Sequence, residues 1–231
     1  MAPESILLVH SPLVGPSSLA RLADAAARTE HRVSLPDLTS MAVSDSPHDA
    51  FCQLAVDAGR EMNSTPLVVG HSGAGAFLPA IGSGIGNVAG LVFVDAVVPP
   101  AAGAHRTSTA MCEMLDAVTE EGLLRRWIDW WPEETIVELL PDEADRARLD
   151  ADMPRVPRSF YDHDVEVPPG WSQNRCAYLM LSDAYEPELH DAAERGWPTA
   201  RLDTDHLAPL TKPEAVLRDV LQLARQGAST G

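Results

Sequence analysis

Pro66-Leu67-Val68-Val69-Gly70-His71-Ser72-Gly73-Ala74-Gly75-Ala76 decides how the rest of the chain is read. An apolar run passes directly into a serine flanked by small residues, the pattern of a buried strand, a sharp turn and a helix start. Gly70 and Ala74 take the two positions that such a nucleophile elbow needs small, because the turn brings strand and helix backbones together. The strict pattern has glycine where Ala74 stands. A dinucleotide loop would show G-x-G-x-x-G and a P-loop a Lys-Ser/Thr pair, and the stretch has neither. Ser72 is therefore a candidate nucleophile, with a bland glycine-rich turn as the alternative.

Outward from this stretch, apolar runs alternate with helical patterns and short loops, which predicts an α/β fold with a doubly wound, mostly parallel sheet. Ser5 to Val9, His31 to Leu35, Gly90 to Asp95, Cys176 to Leu181 and Pro198 to Leu202 read as strands. Helices are predicted from Ser17 or Ser18 to Ala27, from Pro47 to Met62, after Ser72, from Glu186 to Arg195 and from Pro213 to Arg225. Gly82, Gly84 and Gly86 read as a turn, and the small, polar tail from Gln226 to Gly231 as frayed. In such sheets ligands bind at the strand ends along one edge.

Between Pro99 and Asn174 the rhythm breaks. No buried strand is evident there, and two amphipathic stretches, Ser108 to Trp131 and Glu133 to Asp150, predict helices. This makes residues 100–174 a helical cap inserted between the last-but-two and last-but-one strands of a core formed by 1–99 and 175–231. The insertion holds Trp127, Trp130, Trp131, Phe160, Tyr161 and Trp171 in a chain with 5% aromatic residues. Trp127, Trp130, Trp131 and Phe160 are candidates to line a substrate pocket; docking of the cap on the sheet is the competing use. Asp162-His163-Asp164 has metal-ligand residue types but fits an acidic surface loop better, so no metal or other cofactor is expected.

Seventeen Lys and Arg against 34 Asp and Glu give a formal charge of -17 over 231 residues. Such a surface repels nucleic acid and anionic membranes. The N-terminus leads into an apolar strand without a charged leader or a membrane-length run, so a cytoplasmic protein is expected. Cys52, Cys112 and Cys176 are odd in number and widely spaced, as reduced thiols are.

Ser72 is followed along the chain by acids and then by His206 in the loop after the final strand, so the residue types a serine nucleophile needs are present. Serine is a weak nucleophile until an imidazole takes its proton and a carboxylate orients that imidazole. His10 and His71, beside the first loop and the elbow, read as architectural.

With these residues in view, the chain resembles the α/β-hydrolase superfamily, and within it the small methylesterase and hydroxynitrile-lyase-like branch. The likeness is carried by Ile6-Leu7-Leu8-Val9-His10, Gly70-His71-Ser72-Gly73, Leu91 through Pro99, and Asp205-His206-Leu207-Ala208-Pro209-Leu210 through Pro213. It implies Ser72 as nucleophile, His206 as base, and Gly73 as the donor of one backbone N–H to the oxyanion. Two departures stand out. The acid position of the branch falls on Ala184, with Asp183 one residue early, whereas Asp95 ends the strand before the cap, where other members of the superfamily keep theirs. Asp95 is favoured and Asp183 is the alternative. The second departure is Pro12, which has no N–H to give where the branch has an oxyanion donor; Leu13, Val14 or the Ser11 side chain then supplies it, or the second donor is absent, and Leu13 is the expected donor. A lyase of this branch would need a lysine beside its cyanide site, and none lies near Asp183. The resemblance implies acyl transfer from a small hydrophobic or aromatic ester or thioester to water. The alternative is an acyltransferase served by a carrier-protein thioester, with a lyase or a non-catalytic receptor less favoured. The oligomeric state is left open by the sequence.

Overall fold

Strands buried on both faces need apolar residues almost throughout; the runs at Ser5 to Val9, Leu67 to Val69, Gly90 to Val94 and Cys176 to Met180 meet that demand, while those at His31 to Leu35 and Pro198 to Leu202 form partly exposed edge strands. The computed structural model describes residues 3–226; the prediction for 227–231 lies outside them. In chain order the first half comprises β1 (Ser5–Val9), α1 (Ser17–Arg28), β2 (Arg32–Ser34), α2 (Pro47–Glu61), β3 (Leu67–His71), α3 (Leu78–Ile85) and β4 (Gly90–Val94). The intervening segment carries β5 (Ala104–His105), α4 (Thr109–Ala117), β6 (Thr119–Glu120), β7 (Leu123–Leu124), α5 (Glu133–Leu139), α6 (Glu143–Ala151) and β8 (Val165–Glu166). The chain then returns through β9 (Cys176–Met180), α7 (Glu186–Glu194), β10 (Thr199–Arg201), α8 (Ala208–Thr211) and α9 (Pro213–Gln226).

The main sheet has six strands in the order β10-β9-β4-β3-β1-β2, and all its pairings are parallel. Successive side chains point to opposite faces. Leu7, Val9, Val68, Phe93 and Tyr178 join the core under α2 and α3, while Ile6, Leu8, Val69, Val94 and Leu179 join the core under α1 and α9. The strands leave their C-terminal ends on one edge, where the loops after β1, β3, β4, β9 and β10 converge.

Several local expectations change. Gly82 and Gly84 lie inside α3 rather than in a turn. Only Gly86, with φ 91°, ends the helix in a conformation suited to glycine. The long helix predicted over 108–131 is interrupted because Glu121 and Gly122 take φ of 52° and 80°, turning the chain back as the β6–β7 hairpin. A second ribbon, β5 with β8, ties the two ends of the insertion together.

Polar contacts fasten the insertion to α1. Ser17 donates its backbone N–H and its hydroxyl to the two carboxylate oxygens of Asp152, both at 2.7 Å, so the N-terminus of α1 is capped from the insertion. Its positive dipole end favours a carboxylate there. Arg21 on α1 reaches Asp145 at 2.6 Å and Asp142 at 3.2 Å. Val14, Leu140, Leu149, Met153, Leu207 and Leu210 form a small apolar cluster above the sheet edge. No helix among the described residues is long and apolar enough to cross a membrane.

Candidate active site

Ser72 follows β3 with φ 59°, a left-handed conformation that costs energy for any residue but glycine and marks a tightly constrained turn. The chain next makes a 3-10 turn, Ser72–Phe77, before α3 begins. A side chain at Gly70 would press on Leu78 at 2.7 Å. Ala74, the other position read as needing to be small, is fully buried. A further close approach is at Gly75, where a Cβ would run into the backbone carbonyl of Val97.

Asp95, directly after β4, also has a positive φ, 43°, and is fully buried. Its carboxylate is saturated: Oδ1 accepts the N–H groups of Leu181 (2.7 Å) and Ser182 (3.0 Å), and Oδ2 accepts the Ser182 hydroxyl (2.6 Å) and His206 Nδ1 (2.7 Å). Burial by itself raises the Asp95 pKa, but the His206 and Ser182 hydrogen bonds and the Leu181 N–H outweigh it and hold the carboxyl below its ordinary value. The Tyr178 hydroxyl anchors the same loop, accepting the N–H of Ala96 at 3.1 Å and donating to its carbonyl at 2.9 Å. Asp183 instead turns outward, with its side chain 82% exposed and paired to Arg201 at 2.8 Å.

His206 is packed by two rings. His71 lies 4.4 Å from it between centroids and donates Nε2–H to the His206 backbone carbonyl at 3.0 Å. Burial, then the neighbouring His206, lowers the His71 pKa to about 3, so His71 stays neutral and adds no charge beside the second imidazole. Tyr185 lies flat on His206, with ring centroids 5.3 Å apart and planes within 5°. The Tyr185 hydroxyl is 3.2 Å from Ser72 Oγ. Neither Tyr185 nor Ser182 was singled out from the sequence, although both follow the strand whose end was searched for the acid.

Ser72 and His206 share a cleft of about 30 Å³ with Ser11, Leu13, Val14, Ser18, His71, Trp127 and Leu207. Leu13 points its N–H at Ser11 Oγ, 3.4 Å away, and Val14 donates to the Ser11 carbonyl at 3.2 Å. A Cβ at Gly73 would lie 3.3 Å from Ser11 Oγ, which puts the Ser11 hydroxyl beside the residue that follows Ser72. His10 bridges loops, Nδ1 donating to the Ser11 carbonyl at 2.9 Å and Nε2 accepting the Leu38 N–H at 3.1 Å.

Of the four aromatic residues expected to line a substrate pocket, Trp127 borders this cleft. Trp130 donates to the Arg125 carbonyl at 2.8 Å and packs on the core, and Trp131 is 43% exposed. Phe160 is buried against His48 and Phe77, at a separate surface groove of about 430 Å³. Trp171 is a docking residue, buried beside Phe93 and Trp197. Asp162 and Asp164 pair with Arg158 and Arg106, and no group of three or more potential metal ligands is clustered among the described residues.

Residues 6–219 match the alpha/beta hydrolase family, and the chain belongs to it. No curated protein matches the sequence. Among solved structures, it is similar to an extracellular α/β-hydrolase from a Paenibacillus species, described as sharing structural and functional homology with tobacco salicylic acid binding protein 2. That similarity has a TM-score of 0.72 at 15% identity, over 97% of this chain and 99% of the other. It is also similar to tomato methylketone synthase I bound to 2-tridecanone, with TM-score 0.72 and 15% identity over 98% and 99% of the two chains. A third similarity is to the pyrethroid hydrolase PytH, with TM-score 0.73 and 15% identity over 98% and 99%.

Proposed function

We propose that this member of the family is a serine hydrolase that cleaves a small hydrophobic or aromatic ester or thioester through an acyl-enzyme. The observation that carries the reading is the 2.7 Å contact of His206 Nδ1 with the buried Asp95, at the edge where Ser72 is held on a strained turn. With Nδ1–H donated to Asp95, Nε2 is the lone-pair nitrogen and takes the Ser72 proton as Oγ attacks the carbonyl carbon. His206 then returns that proton to the leaving alcohol or thiol. Water repeats the sequence in reverse on the acyl-enzyme. Asp95 stays ionised and stabilises the imidazolium.

The tetrahedral oxyanion is met by the N–H of Gly73 and, in this reading, by the Ser11 hydroxyl. Pro12 has no N–H, and the Leu13 and Val14 N–H groups already face Ser11. Ser11 Oγ is the donor left beside Gly73, in place of the Leu13 N–H expected from sequence. Some of the similar structures are by name hydrolases, in keeping with ester cleavage.

The test is labelling of the intact protein with a fluorophosphonate and turnover of p-nitrophenyl acetate, with Ser72→Ala as the control. Stoichiometric labelling lost in Ser72→Ala is the expected result, and a folded wild type that neither labels nor turns over ester would overturn the reading. Including thiol, amine and alcohol acceptors separates hydrolysis from transfer, because only a transferase converts the acceptor into an acylated product.

A further inference from the structure

The side chain that touches Ser72 Oγ is Tyr185, at 3.2 Å, and its ring is the one stacked flat on His206. One residue therefore bears on both the candidate nucleophile and the candidate base. It belongs to the loop after β9, on the far side of β3 from the loop that carries Ser11 and Pro12. Tyr185 is thus not another oxyanion donor of the first loop; it approaches the serine oxygen itself. Burial, and then the charges of Asp95 and Glu188, push its phenol up to about 12 despite the Ser72 contact, so it carries its proton throughout the working range. Either hydroxyl can donate in this contact; the greater acidity of a phenol than of an aliphatic alcohol favours the arrangement in which Tyr185 donates and Ser72 Oγ accepts. The serine hydrogen is left free for His206 Nε2.

We propose that Tyr185 is a further catalytic residue, donating its O–H to Ser72 Oγ and stabilising the negative charge on that oxygen as the serine proton passes to His206. This rests on the serine reading above. The same hydrogen bond acts in the second half-reaction, when the bond between Oγ and the acyl carbon breaks and His206 returns its proton to Oγ. The Tyr185 proton is never transferred. Stacking on His206 fixes the ring, so that the hydroxyl meets Oγ without a search over rotamers.

Tyr185→Phe and Tyr185→Leu test this in the full chain, read by fluorophosphonate labelling rate and by kcat and KM for p-nitrophenyl acetate across pH. A hydrogen bond to a charged group is worth enough that Tyr185→Phe should lower kcat by about 10–100-fold with KM within about twofold. Because Phe keeps the ring, the acid limb of kcat/KM should stay where it is in the wild type. Tyr185→Phe with kcat within about twofold of wild type overturns the proposal, as does activity lost in Tyr185→Leu alone, which assigns the ring to packing. A loss in Tyr185→Phe that merely tracks a displaced acid limb overturns it too, since His206 has then moved. If the wild type itself fails to label, the serine reading falls and this inference with it. If the wild type labels and Tyr185→Phe labels equally fast, only the role of Tyr185 falls.

Discussion

His206 Nδ1 donates to Asp95 Oδ2 at 2.7 Å, although β9 lies between the strands that end in these two residues. The span is bridged because the loop after β9 supplies the other three hydrogen bonds to the same carboxylate. In Asp95→Asn the amide nitrogen replaces one of these acceptors, and His206 is driven to the wrong tautomer. The expected fall in kcat is on the order of 10⁴, whereas Asp183→Asn, exposed and paired only with Arg201, should stay near wild type. Ester kinetics on both variants, with thermal unfolding to confirm folding, check this; the reverse ranking refutes the assignment.

Space is the second constraint. A cleft of about 30 Å³ at Ser72 has room for water and little else, and Trp127 is the largest side chain bordering it. Trp127→Ala should raise kcat/KM for p-nitrophenyl butyrate relative to the acetate by about tenfold, the scale of a few methylenes gaining a pocket. An unchanged ratio would mean that the acyl group does not pass Trp127.

At the elbow, Gly75 faces the carbonyl of Val97, which is backbone and cannot swing away. Gly75→Ala should destabilise the fold by about 1–3 kcal/mol, as overpacking does, and should disturb the loop of Asp95. A lowered Tm together with reduced kcat is the expected result, while Ala74→Gly should cost activity little.

The folded protein holds several histidines uncharged. His71 is lowered to about 3, and His10 and His48 are lowered, all chiefly by burial. In the unfolded chain these groups take up a proton near pH 6.5. Below that pH and down to the folded values, the unfolded state binds more protons, so stability falls as pH falls. Tm should decline from pH 6.5 to pH 5, and the slope should be shallower in His71→Gln, which cannot titrate. An identical slope would exclude His71 as a contributor.

The sheet was legible because parallel strands buried on both faces leave unbroken apolar runs, and Ser72 and Asp95 stood at the ends of such runs, while His206 follows the short edge strand β10. What lay hidden depends on contacts between distant segments. Tyr185 looks like an ordinary loop residue until β9 is placed beside β4. The crowding at Gly75 comes from Val97, a neighbour only in the folded sheet. The insertion was misread as long helices because its short elements owe their limits to left-handed residues at 121 and 122 and to ion pairs such as Arg158 with Asp116 and Asp162. Ser17 was legible as a helix start, but the partner of its N–H is Asp152, 135 positions along the chain.

That last contact has a mechanical meaning. Asp152 grips Ser17 and crowds Gly15, so that even a methyl group at Gly15 would strike its carboxylate. Gly15 closes the same loop that holds Ser11 and Pro12. One carboxylate from the insertion therefore ties together the start of α1 and the loop beside Ser72, so the position of that loop depends on a residue far from the serine in sequence.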